Sequence, residues 1–467
     1  MFIDNTRHIA RRAFLQRLGQ LGVAGAAAPW AINLAAIGEA AAAISASDYK
    51  ALVCIFLYGG NDNGNTVIPY DTSGHADYAT VRGALALARS TLDATALSPA
   101  LANGRQYALA PSLAPLKPLF DSKKLAVQLN VGPLIQPTTL AEYQARSVPL
   151  PPKLFSHNDQ QSVWQSSQAE GSVRGWGGAL GDLALSTNGN ALFSCMSVTG
   201  NAVFLAGQTA LAYQIGTGGP VAINGAVKDL FGSTTCRDTL RSLITQTRTQ
   251  VLENEYNRIT ARAIDSQGAL SSAIAGSDTK FDALLPANVN GTRQPLNQQL
   301  EMVARLIDAR GALGMKRQVF MVSLGGFDTH DNLSTRHPVL IHQHRVARAM
   351  AGFQAAMDQI GIGANVTSFT ASDFGRTMTS NGDGSDHGWG STHFVMGGAV
   401  KGGAFYGTPP QVALGGPEDT GQGRLLPTTA VAQYAATLAS WFGVSASELP
   451  LVAPSINNFS VRNVGFV

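Results

Sequence analysis

The chain has 467 residues, a formal net charge of +3, and only 13% charged residues against a typical value of about 25%. That balance lacks the basic stripe of a nucleic-acid binder. The length is ample for a large buried core, and amides, hydroxyls and glycines carry the polarity instead of charge.

Residues 1–46 read as a twin-arginine signal peptide. Arg11 and Arg12 precede Ala13, Phe14 and Leu15, and a mildly apolar run over 18–43 follows. Pro29, Asn33 and Glu39 interrupt that run. It is therefore a poor membrane span, which needs about 20 predominantly apolar residues. Ala41, Ala42 and Ala43 offer small residues for cleavage near 43–46. An amphipathic N-terminal helix with a chance Arg-Arg pair is the plainer alternative, and the order of the three parts argues against it. No later segment is apolar enough to span a bilayer. The expectation is a protein exported folded by the twin-arginine translocase to the periplasm or beyond, with no nucleic-acid partner.

Residues 47–467 read as one domain. The run 51–58 (ALVCIFLY) ends in Gly59-Gly60 and predicts a buried strand of a parallel sheet. Similar runs at 124–131, 318–324, 366–371 and 393–396 each precede a loop rich in Gly, Ser or Asp. Residues 183–235 predict a β-leaning insertion, a hairpin region over part of the sheet. Helical patterns cover 240–262, 296–311, 340–360 and 430–442, and 266–290 reads as a polar surface loop. Strands alternating with helices give an α/β class with a mostly parallel sheet. Of the three cysteines, Cys54 sits in an apolar run and reads as a buried thiol. Cys195 and Cys236 are left as an open possibility for a disulfide.

Ligands of open α/β sheets gather at the C-terminal strand ends, and the reactive residue types fall there. They are Asp62 after the first strand, Asp328, His330 and Asp331 after the third, and Asp373 and Arg376 after the fourth. Asp386, His387 and His393 follow a Gly-rich loop. Carboxylates and imidazoles drawn from several strand ends suit a divalent metal. Each has a plain alternative. Asp62 can merely hold a turn, Asp386-His387-Gly388 can be a turn, and Arg376 can bind an oxyanion or pair with Asp373. Among the histidines, His157, His330, His387 and His393 lie in Gly- and Asp-rich segments. His342 and His344 lie on a helical pattern, and His75 and His337 read as structural. Ser156, three residues before Asp159, is a helix N-cap first and a nucleophile second. A serine triad of Ser156, His157 and Asp159 is excluded because neighbours on one short segment cannot reach triad geometry.

The strings FLYGGNDNGNTVIPYD, SHNDQQSVWQSS, GGFDTHDN and SDFGRTMTSNGDGSDHGWGSTHFVMGGAVKGGAFYG resemble the signature segments of the family called domain of unknown function 1501. That family belongs with the alkaline phosphatases and sulfatases. The resemblance implies an alkaline phosphatase-like α/β/α sandwich with one or two divalent ions (Zn, Mn, Mg or Ca) at one edge. It assigns Asp328, His330 and His393 to one ion and Asp62, Asp386 and His387 to the other. Ser156 takes the nucleophile slot between them, Asp331 is an alternative to His330, and Asp373 stands where many members carry Glu. No Cys-x-Pro-x-Arg or Ser-x-Pro-x-Arg motif is present, which argues against a formylglycine sulfatase. The implied activity is hydrolysis of a small phosphate or sulfate ester by metal-activated Ser156, with Arg376 assisting. The alternative is a catalytically inactive periplasmic or surface protein that binds or builds with the same fold.

Overall fold

The computed structural model describes residues 48–101, 103–341 and 345–467. The segment 1–46 read as an export signal, and His342 and His344, lie outside them. The strands are β1 (Lys50–Leu57), β2 (Val67–Pro69), β3 (Tyr107–Leu109), β4 (Leu125–Gly132), β5 (Cys195–Ser197), β6 (Tyr213–Gln214), β7 (Asn288–Val289), β8 (Thr292–Arg293), β9 (Arg317–Leu324), β10 (Val366–Ser372), β11 (Ser391–Gly397), β12 (Phe405–Tyr406) and β13 (Thr429–Ala430). The longer helices are α1 (Thr72–Arg82), α2 (His157–Ser166), α3 (Trp176–Ala184), α4 (Thr234–Thr245), α5 (Val251–Ile274), α6 (Pro295–Asp308), α7 (Leu333–Ile341), α8 (Val346–Gln359) and α9 (Val431–Phe442). No helix among the described residues is long and apolar enough to cross a membrane.

Nine strands form the central sheet in the order β12-β4-β11-β10-β1-β9-β5-β6, with β13 also on β4. β1 lies in the middle, parallel to β9 and β10. Its side chains alternate between two apolar cores, as a strand period of two requires. Val53 and Ile55 pack with Leu300 of α6 and Phe353 of α8 on one face. Leu52, Cys54 and Phe56 pack with Leu180 of α3 and Leu438 of α9 on the other. Continuous apolar runs mark such doubly covered strands.

β11 is the exception to the parallel expectation, being antiparallel to both β10 and β4. It therefore begins at the edge where β1, β9 and β10 end, and this brings residues 386–390 to the same edge as the loops after those strands.

Three expectations need correction. The segment 183–235 is no hairpin over the sheet: β5 and β6 are parallel to each other and extend the sheet beyond β9. The loop expected at 266–290 is helical as far as Ile274, because Ile264, Leu270 and Ile274 bury one side of α5. The disulfide left open is not formed, since Cys195 is buried in the core, Cys236 is exposed on α4, and both are free.

Gly59 carries a backbone φ of +118°, and a Cβ there would overlap the backbone nitrogen of Asp328. Only glycine meets both demands. Gly59→Ala is expected to cost more than about 1 kcal/mol, read as a lower denaturation midpoint. Unchanged stability would show that the loops after β1 and β9 can separate freely.

Candidate metal centre

The edge formed by the ends of β1, β9 and β10 and the start of β11 gathers three imidazoles around one carboxylate. His157 opens α2, Asp328 and His330 follow β9, and His387 precedes β11. One nitrogen of each ring is taken. His157 Nδ1 lies 2.6 Å from Asp373 Oδ2, His330 Nδ1 3.1 Å from Asp386 Oδ1, and His387 Nδ1 2.7 Å from the Phe155 carbonyl. Ionised carboxylates and carbonyls only accept. Each Nδ1 is therefore the protonated donor, and in each neutral ring Nε2 presents a lone pair.

All three Nε2 atoms face Asp328. The separations are 3.5 Å from His157 to Oδ2, and 3.1 Å from His330 and 3.4 Å from His387 to Oδ1. His330 Nε2 and His387 Nε2 stand 2.8 Å apart. Two lone pairs at that distance repel unless a cation or an extra proton lies between them. Donors bound at about 2.0–2.2 Å in a tetrahedral set lie roughly 3.3–3.6 Å from one another. The spacings of His157 and His387 to Asp328 match this, so those three residues fit a divalent ion, while His330 stands closer to His387 than two ligands of one ion would. His157, Asp328 and His387 offer ligand atoms that all lie within 4.8 Å of one another. The site opens to solvent, with Asp328 and His330 each 44% exposed.

The electrostatics follow from these contacts. The hydrogen bond to Asp373 raises the His157 pKa against the opposing effect of burial. Burial pushes His387 down. Burial would raise Asp328, but Arg376 and the nearby imidazoles outweigh it and hold the carboxyl below its usual range. Asp386 is likewise lowered against burial, by bonds from Asn381 and His330.

Asp328, His330 and His387 thus meet as donors. Asp386 stands behind His330, where it orients the ring, and Asp373 does the same for His157 with Gln161 as a second donor at 2.8 Å. Such carboxylates fix ring tautomer and direction.

Asp62 and His393 do not join the cluster. The Asp62 carboxylate is fully buried and bonded to Arg82 of α1 at 2.6 Å. Arg82 also donates to the Thr377 carbonyl, which ties the loop after β1 to the loop after β10. His393 lies two residues inside β11, where its ring packs on Trp164 and bonds Thr370 Oγ1 at 3.2 Å. Burial drives its pKa down to about 3. A strand residue at that position faces a helix layer, away from the loop edge.

Arg376 is no free oxyanion binder. Its buried guanidinium donates to Asp328, the Gly59 carbonyl and Ser385, and it does not pair with Asp373. Ser156 Oγ donates to Asp159 at 2.9 Å and makes no capping bond to the backbone. Asp331 pairs with Arg336 at the surface.

Sequence reasoning undervalued His157, although its SHND segment was a visible signal. Nothing in the sequence announced Arg82 as the partner of Asp62.

The model of the family described as "Protein of unknown function (DUF1501)" matches residues 49–435, and the chain belongs to that family. No curated protein matches. Among solved structures the chain is similar to "Ps i-CgsB in complex with k-i-k-neocarrahexaose", at 10% identity and a TM-score of 0.35, over 88% of this chain and 77% of that one. It is also similar to a mutant of "alkaline phosphatase PafA", at 11% identity and a TM-score of 0.28, over 71% of this chain and 64% of that one.

Removing one partner of a buried ion pair leaves an uncompensated charge and costs about 3–5 kcal/mol. Asp62→Ala is expected to lose that much stability, read by denaturant unfolding, while metal content stays unchanged. A stable variant that loses metal would restore Asp62 to the ligand set.

Proposed function

We propose that this protein is an exported metal-dependent hydrolase of small phosphate or sulfate esters, built like the alkaline phosphatases and sulfatases. The observation that carries the reading is the set of three imidazoles, each held at Nδ1, whose Nε2 atoms face Asp328. His157, Asp328 and His387 would hold a divalent ion, with His330 beside them. When bound, it supplies Lewis acidity and water activation.

The chain's own residues do the rest. Arg376 keeps Asp328 turned toward the imidazoles. Asp373, Asp386 and the Phe155 carbonyl retain the Nδ1 protons and so keep Nε2 available. Ser156 lies beside His157 at the start of α2, a position that favours an anion. Its hydroxyl is committed to Asp159, so in this reading water attacks the ester and Ser156 shapes the loop. The export signal delivers the folded protein through the twin-arginine route.

The test is elemental analysis of protein expressed with its leader and recovered from the periplasm, followed by a screen of phosphate and sulfate esters. Near-stoichiometric metal and chelator-sensitive hydrolysis are expected. His387→Ala is expected to lose the ion. Asp373→Asn is expected to weaken metal affinity about 10–100-fold, and Ser156→Ala to keep most of the activity. Wild-type protein that stays metal-free in excess Zn or Mn would sink the reading and leave a binding or structural role.

A further inference from the structure

Beside the candidate metal edge stands an arginine that the proposed function does not use. Arg424, half-buried, lies in the loop between β12 and β13. Its Nε donates to the His387 carbonyl at 2.8 Å, and its Nη1 to the Gly421 carbonyl at 3.3 Å. The guanidinium lies over the Phe155 ring, 4.9 Å from the ring centre. Phe155 is also the residue whose carbonyl holds His387 Nδ1, and its backbone φ is +73°. A bulky residue rarely adopts that conformation, and the surroundings must hold it there. One strained residue thus sets the imidazole with its carbonyl and the guanidinium with its ring.

The neighbouring cations are all paired: Arg376 with Asp328, Arg82 with Asp62, Arg336 with Asp331, and Lys153 with Glu170. Arg424 makes no ion pair among the described residues. The acid of its own loop, Asp419, is committed to the backbone N–H groups of Gly415, Gly421 and Gly423, each at 2.8 Å. Arg424 Nη2 carries two N–H donors, has no partner among the described residues and is open to solvent. A guanidinium partly withdrawn from water is stabilised by an anion that it can hydrogen-bond. Its position says which anion. Arg424 is held at the backbone end of His387, while the ion would sit at Nε2, the far end of the side chain. We infer that Arg424 binds a second anionic group of the substrate, a carboxylate, phosphate or sulfate beside the ester group that the ion would take. The inference rests on the metal-dependent hydrolase reading and narrows its substrates to esters that carry another negative charge.

The test is calorimetric titration of the zinc-loaded full protein with two probes. Methylphosphonate carries one anionic group, and 3-phosphonopropionate adds a carboxylate. The carboxylated probe is expected to bind wild type about tenfold more tightly, as one charge-assisted hydrogen bond allows. In Arg424→Gln the ratio of the two affinities should fall to about one. Arg424→Lys keeps the charge but not the planar fork, and should lower the ratio to about threefold, so the assignment is tested even where the Gln variant does not fold. Zinc measured on the same samples separates this inference from the reading beneath it. Full zinc with equal affinities for both probes in wild type overturns the inference alone, as does a tenfold ratio that survives in Arg424→Gln. Equal weakening of both probes in Arg424→Gln places Arg424 on the reacting group instead and also overturns it. Wild type that takes up no zinc overturns the hydrolase reading and this inference with it.

Discussion

The guanidinium of Arg376 holds the candidate metal edge together. It sits fully buried in the loop after β10 and donates to Gly59 after β1, to Asp328 after β9 and to Ser385 before β11. Three loops far apart in sequence, those after β1, β9 and β10, thus share one cation. A buried charge is costly unless it is paired and hydrogen-bonded, so the loops can relax only together. The Asp328 carboxylate is fixed in consequence, and with it the point on which the imidazoles converge. Asp62 and Arg82 form a second such tie one layer away, joining the β1 loop to Thr377.

Strand direction explains why the site lies where it does. Parallel strands β1, β9 and β10 all end at one edge, so their loops deliver Gly59, Asp328 and Arg376 there. The antiparallel β11 runs back from that edge, so the residues before it, Asp386 and His387, arrive as well. Residues inside it do not, which is why His393 ends up beneath Trp164. Close approach of these loops needs glycine. A Cβ on Gly388 would overlap the Gly375 carbonyl, and one on Gly375 would overlap the Gly390 carbonyl.

Much of this was legible in the sequence because the signals were local. Uninterrupted apolar runs followed by Gly mark buried strands, and the runs at 51–58, 318–324 and 366–371 match β1, β9 and β10 closely. Asp328, His330, Asp386 and His387 stand out by residue type beside glycine. What was not legible depends on direction and distance. Residue type cannot say that Asp62 would find Arg82, 20 positions on, or that a strand would turn His393 inward. The helical course of 266–274 was hidden because its polar residues mask an apolar spacing that matters only once the body packs against it.

The charge of the site supports the reading of a cation centre independently of the distances. Among the described residues Asp328, Asp373 and Asp386 are the carboxylates in contact with the imidazoles, and Arg376 is the cation bonded to Asp328. Three formal negative charges and one positive leave a deficit of two, to be met by protons on the imidazoles or by a divalent ion. Burial opposes a charge on His387, while Asp373 favours one on His157. A doubly charged ion meets the whole deficit and uses the lone pairs that the held Nδ1 protons leave on Nε2. The same carboxylates that would be an electrostatic burden on an empty edge become the means of orienting its ligands.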